Sequence, residues 1–178
     1  MPPSNTERFW LAISLVGSPV AMAILCLVLV IALLRIGERR AALASAIIAS
    51  VGGLLNTALK DLVHRPRPPG AERFLVGHSW SFPSGHAMGS LIGYGMLAYC
   101  AVTYTSLSST VRRVVVTTCV LLTIAIGLSR VALGVHYQGD VFGGWIIGAV
   151  WLAAGIALLR RAELRAAIAS ASTITPER

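Results

Sequence analysis

The sequence predicts an all-α fold, a bundle of membrane-spanning helices, and three observations carry that prediction. The chain of 178 residues is 56% hydrophobic and only 12% charged. A soluble domain of this size carries about a quarter charged residues. The mean hydropathy is +0.76. Finally, the apolar residues fall into five segments, each near the 20 or so residues that a helix needs to cross a bilayer.

The first segment covers residues 10–34. Gly17, Ser18 and Pro19 could break it, which would raise the count to six spans, but about 25 residues are too few for two crossings. The second (41–62) and third (84–104) carry many small residues, ASAIIASVGG and GHAMGSLIGYG. Such stretches let helices approach closely, so their glycines read as packing devices. The fourth segment covers 114–133 and the fifth 141–159. The tail after Arg165 is short and rich in small residues, and is expected to be loosely ordered. No secretory signal peptide is evident at the N-terminus. One integral-membrane domain over residues 1–178 is the expected organisation.

Charge sets the orientation. The chain holds one lysine, fourteen arginines and seven acids, for a net charge of +8. The arginines stand singly or in small clusters between apolar runs, without stacking aromatics beside them. Nucleic acid is therefore not the expected partner, and anionic lipid is. Arg35, Arg39 and Arg40, then Arg112 and Arg113, then Arg160, Arg161 and Arg165 all fall in loops on one side. The positive-inside rule makes that side the cytoplasm. Cys26, Cys100 and Cys119 lie inside apolar runs with no metal-ligand spacing, and read as small buried hydrophobes.

The ionisable residues of the other side carry the chemistry. All four histidines and the only lysine fall there. In KDLVHRPRP, Lys60 ends the second span and Arg67-Pro68 follows. The prolines hold the loop extended, leaving Lys60 and Arg67 free to converge on an oxyanion, a phosphate rather than a carboxylate. Arg65 and Arg73 read equally well as interfacial snorkelling residues. In SFPSGHAM, Ser84 suits a helix N-cap. Gly85 would let a ligand approach the backbone, where free N–H groups favour an anion. His86, in that first turn, is a candidate acid. In SRVALGVHYQGD, Arg130 ends the fourth span, and His136 and Asp140 stand four residues apart, on one face if a helix starts there. A carboxylate on one ring nitrogen fixes the tautomer and raises the nucleophilicity of the other.

Lys60…Arg67-Pro68, Pro83-Ser84-Gly85-His86 and Ser129-Arg130…His136…Asp140 resemble the tripartite signature of the type 2 phosphatidic acid phosphatase superfamily, over residues 60–145. The resemblance implies a metal-independent phosphatase whose helices gather the three motifs at their ends on one membrane face. His136 would attack phosphorus and form a phosphohistidine, and Asp140 would hold its ring. His86 would protonate the leaving oxygen. Lys60, Arg67, Ser84, Gly85 and Arg130 would hold the phosphoryl oxygens. No metal or other cofactor is expected. Similar membrane members usually have six spans, with two before the lysine motif, whereas one is clear here. Either this is a five-span variant with an outward N-terminus, or a homodimer supplies the missing contacts.

The expected function is lipid phosphatase in the inner membrane of a bacterium, with the site facing outward. Between lipids, undecaprenyl-type diphosphate is slightly favoured, because the loops look too short for a specific headgroup pocket. Phosphatidate and phosphatidylglycerophosphate are the alternatives. A non-catalytic lipid transporter or scaffold on the same fold is the rival from another class. The presence of His86, Arg130 and His136 speaks against it.

Overall fold

The computed structural model describes residues 2–74 and 79–172. Among them the regular structure is helical, without strands. Helix α1 covers Asn5–Val16, α2 Pro19–Arg35, α3 Arg39–Val63, α4 Gly85–Thr103, α5 Ser109–Ala132 and α6 Gln138–Ser172, with a 3₁₀ turn at Ala71–Phe74. Serines start four of them. Ser4, Ser18, Ser84 and Ser108 each accept a hydrogen bond from the backbone N–H three residues on, satisfying donors that a helix start leaves open.

The first apolar segment does divide at Gly17-Ser18. Pro19 then takes the first position of α2, where a missing N–H costs nothing. The two pieces still make one traverse. Trp10 packs beside Leu133 and Val135, Ser14 meets Arg130, and Gly17 lies against Ile126. The chain therefore runs antiparallel to α5, starting from the end of the bundle where α5 finishes.

By length and composition, four stretches can cross a membrane: Asn5–Arg35, Arg39–Val63, Ser109–Ala132 and Gln138–Ser172. Helix α4, the third expected span, is not among them, and its position explains why. It packs against α2, α3, α5 and α6 and buries Met88, Ile92, Tyr94, Met96 and Cys100. A helix surrounded by other helices needs small residues for close approach more than a lipid-soluble surface. The outer helices carry that surface instead, with Val20, Leu54, Leu121 and Val150 exposed. Cys100 and Cys119 are buried, Cys26 is half-buried, and all three are free thiols.

Helix α6 corrects one expectation. It begins at Gln138 and continues to Ser172, so residues 166–172 extend the helix instead of forming a loose tail, and the rest of the expected tail lies outside the described residues. Alanine-rich RAAIASAS favours helix, and 35 residues make a rod of about 50 Å, longer than the roughly 30 Å hydrocarbon layer. Near its start α6 crosses α4 at contact distance. A Cβ on Gly144 would lie 2.8 Å from the Ser84 carbonyl oxygen and 3.2 Å from the Ala87 Cβ, and one on Gly148 would lie 3.2 Å from the Met88 oxygen. This crossing brings the starts of α4 and α6 together.

Candidate active site

The C-terminal ends of α3 and α5 and the N-terminal ends of α4 and α6 meet at one end of the bundle. Lys60 lies in the last turn of α3 and donates to the Trp80 carbonyl at 2.6 Å. The helix stops at His64, which adopts the left-handed conformation (φ 50°) and sets its ring edge-on to Trp80. Arg67 donates from Nε to the Ser79 carbonyl at 2.7 Å, from Nη2 to Ser79 Oγ at 2.8 Å and from Nη1 to the Val135 carbonyl at 2.8 Å. Lys60 and Arg67 thus converge on neighbouring carbonyls of one strap. That strap is itself tied down, since Ser81 N–H donates to the Arg65 carbonyl at 2.8 Å.

Ser84 caps α4 as its sequence suggests, and its N–H donates to the Asp140 carbonyl at 2.9 Å, joining the start of α4 to that of α6. Gly85 faces protein. A Cβ there would lie 3.1 Å from Asn56 Oδ1, so the missing side chain accommodates Asn56 of α3 and does not open the backbone to a ligand on that side. His86 occupies the first turn of α4, half-buried, in the field of Arg130, Arg67 and Lys60. Arg130, in the last turn of α5, is 5% exposed. Its Nη1 donates to Ser14 Oγ of α1, and its buried Nε has no hydrogen-bond partner among the described residues.

Helix α5 ends through Gly134, whose φ of 66° suits a residue without a Cβ. Its turn lets Val135 and His136 donate to the Arg130 carbonyl at 3.1 and 3.3 Å. His136 is buried. Arg67 Nη1 lies 3.2 Å from its Nε2. A guanidinium can only donate, so Nε2 accepts and the ring proton belongs on Nδ1. Nδ1 faces Asp140 Oδ2 at 3.5 Å and Ser81 Oγ at 3.4 Å. Burial, then the charges of Arg67, Arg130 and Lys60, push the His136 pKa down to about 2, so the ring stands neutral. Asp140 is fully buried. Its Oδ2 also accepts from Ser81 Oγ and from Tyr137 N–H (2.9 Å), and its Oδ1 pairs with Arg65 Nη1 at 2.8 Å.

Two of these neighbours, Ser81 and Ser14, were not among the sequence candidates, and a third, Arg65, read there equally well as a snorkelling residue. Arg65 is paired with Asp140, and its guanidinium also lies over the Tyr137 ring at 4.5 Å. Ser81 and Ser14 carry no local signal, because their partners lie 59 and 116 residues away. Arg73 stands apart from this cluster, paired with Glu7 of the α1 capping box at 2.7 Å. His78 lies outside the described residues. Beside Lys60 and Arg67 a cavity of about 1050 Å³ opens, with Asn56, Thr57, Asp61 and Glu72 also on its walls. The arrangement presents an unprotonated ring nitrogen among three cations, a setting suited to a multiply charged oxyanion. Among the described residues no three of His, Cys, Asp and Glu come together as a metal site would require.

Comparison with known proteins finds membrane and lipid phosphatases. Phosphatidylglycerophosphatase B of Bacillus subtilis (strain 168) is 38% identical over 95 residues, which cover 53% of this chain and 46% of that protein. Lipid phosphate phosphatase 2 of Arabidopsis thaliana is 28% identical over 171 residues, covering 81% of this chain and 59% of that protein. The chain thus spans about half the length of these curated relatives. It is also similar to the crystal structure of a transmembrane PAP2 type phosphatidylglycerolphosphate phosphatase from Bacillus subtilis, with a TM-score of 0.82 and 25% identity over 90% of this chain and 80% of that one. With four segments able to cross a bilayer and a transmembrane structural counterpart, this is an integral membrane protein. The family model of the PAP2 superfamily matches residues 40–163, and the chain belongs to that superfamily.

Proposed function

We propose that the chain is a membrane lipid phosphatase that works through a phosphohistidine on His136, without a metal. The observation that carries this reading is the pair of contacts on one ring: Arg67 donates toward Nε2 while Asp140 faces Nδ1. The Nε2 lone pair attacks phosphorus, and the bond from phosphorus to the lipid oxygen breaks. His86 gives that oxygen its proton; the anionic phosphoryl group beside it favours the imidazolium form. Asp140 steadies the positive charge that develops on the His136 ring. Water then attacks phosphorus, His86 takes its proton, the nitrogen–phosphorus bond breaks, and inorganic phosphate leaves. Lys60, Arg67, Arg130 and the start of α4 at Ser84 and Gly85 hold the phosphoryl oxygens. Fixed charge of this kind is the main demand of phosphoryl transfer.

Phosphatidylglycerophosphate, or a closely related glycerol-linked monophosphate, is the substrate this reading favours. The similar Bacillus sequence and the similar Bacillus structure are both named for that chemistry. The preference for a polyprenyl diphosphate rests on loops that look too short for a headgroup pocket, and the cavity beside Lys60 and Arg67 supports a headgroup reading instead. Its Asn56, Thr57, Asp61 and Glu72 offer acceptors to hydroxyl groups, while the two carboxylates disfavour a second phosphate. The site faces outward from a bacterial inner membrane, on the side opposite the arginine-bearing loops.

The test is phosphate release by purified protein in detergent with EDTA, across phosphatidylglycerophosphate, phosphatidate and undecaprenyl diphosphate. Rapid quench with labelled substrate should trap an acid-labile, base-stable phosphoenzyme in the parent and none in His136→Ala. Strict dependence on added magnesium, or turnover by His136→Ala, overturns the mechanism. Faster release from the diphosphate overturns the substrate assignment alone.

A further inference from the structure

Asp140 is fully buried, and its carboxylate has two faces. Oδ2 looks toward His136, at 3.5 Å from Nδ1, with Ser81 Oγ and Tyr137 N–H on the same oxygen. Oδ1 is gripped at 2.8 Å by Arg65 Nη1. A buried carboxylate needs a compensating charge. His136 does not supply it, since a ring that accepts from Arg67 at Nε2 is neutral. Arg65 does. Its own position is fixed, because the guanidinium rests on the Tyr137 ring and the Arg65 carbonyl is bound by Ser81 N–H.

We propose that Arg65 is a positioning residue for His136: it clasps Asp140 Oδ1, turns Oδ2 toward the ring, and balances the carboxylate so that the ring enters the reaction unprotonated. The inference rests on the reading of His136 as the nucleophile. Several charges face the ring. Lys60 from α3, Arg67 from the loop, Arg130 from α5 and His86 at the start of α4 oppose its protonation. Asp140 of α6 favours it. Arg65 stands behind Asp140 and cancels that pull. Without Arg65, the ionisable group nearest to the buried carboxylate is the ring itself, at 3.5 Å. The ring would then take a proton on Nε2, lose its lone pair, and stop being a nucleophile at a higher pH than in the parent. The residue is distinct from Arg67, which contacts the ring and the phosphoryl site directly.

The experiment follows the ionisation of His136 by ¹⁵N NMR of histidine-labelled protein in detergent micelles, alongside pH profiles of kcat/KM. In Arg65→Gln the ring should titrate at a pH higher than in the parent by roughly 1–3 units, the usual effect of exposing one charge to another at this distance. The acid limb of kcat/KM should move with it, by about tenfold in rate for each unit below the new midpoint. Arg65→Lys should keep the parent's titration, and Arg65→Gln/Asp140→Asn should return it there. Arg65→Met, which keeps an unbranched side chain beside Tyr137 without the charge, serves if the glutamine variant does not fold. An unchanged titration in the charge-free variants, or a shift that persists when Asp140 is also neutral, overturns the inference. Turnover by His136→Ala would instead overturn the reading beneath it.

Discussion

Gly144→Ala is the sharpest single test of how packing sets the site. The added Cβ would lie 2.8 Å from the Ser84 carbonyl oxygen, 3.2 Å from the Ala87 Cβ and 3.2 Å from the Met88 nitrogen. Two of those atoms are backbone of α4, so no side-chain rotation relieves the contact, and α4 must move by about half an ångström. Overpacking of this kind costs about 1–3 kcal/mol. The movement falls on the start of α4, with Ser84, Gly85 and His86, and displaces them from Asp140 on α6 and from His136 in the turn before it. Misplacing catalytic groups by 1 Å costs on the order of a hundredfold, so half of that displacement predicts about tenfold in kcat. Gly89→Ala, on α4, is the control. Its Cβ would find only the Met22 Cγ at 3.9 Å, and it should be neutral or stabilise by up to about 1 kcal/mol through helix propensity. Thermal unfolding in detergent and steady-state phosphate release read both effects. If Gly144→Ala matches the parent in stability and kcat, or if Gly89→Ala is harmed equally, the α4–α6 crossing does not position the site.

Other outcomes follow from the same contacts. His136 is held at a pKa of about 2 by burial first and then by Arg67, Arg130 and Lys60, whereas an unfolded histidine titrates near 6.5. As pH falls below about 6.5 the unfolded chain takes a proton that the folded ring refuses. Stability should drop by up to about 1.4 kcal/mol per pH unit from this group, and His136→Gln should flatten that slope in unfolding measured from pH 7 to 4. At the far end of the bundle, Tyr104 donates to Glu163 Oε1 at 2.6 Å. Tyr104→Phe should cost about 1–3 kcal/mol in unfolding free energy and leave kcat unchanged; a change in kcat would tie that end to the site. The proposed orientation is checked with single cysteines in intact cells: one at Ser79 should label with an impermeant thiol reagent and one at Arg112 should not, and the reverse pattern would put the site inside.

The sequence by itself determined what short-range physics decides. Apolar runs of bilayer length mark the helices, and Ser84 marks where one of them begins, because capping depends on residues three positions apart. The motif order placed Lys60, His86 and Arg130 at helix ends and Arg67 in the loop after Lys60. The spacing of four between His136 and Asp140 promised a shared face only if a helix began at His136; α6 begins at Gln138, and the turn before it brings the ring to the carboxylate. Tertiary structure decided the rest. Which helix lies at the centre could not be read from hydropathy, since α4 is less apolar for the very reason that neighbours replace lipid around it. Glycine at 144 has a meaning only once the Ser84 carbonyl lies against it. The cation that balances Asp140 comes from Arg65, 75 residues earlier, and the hydroxyl on Arg130 comes from Ser14 in α1. Such partners leave no periodic trace in the chain, because the free energy of burying a charge is settled by whatever the fold brings beside it.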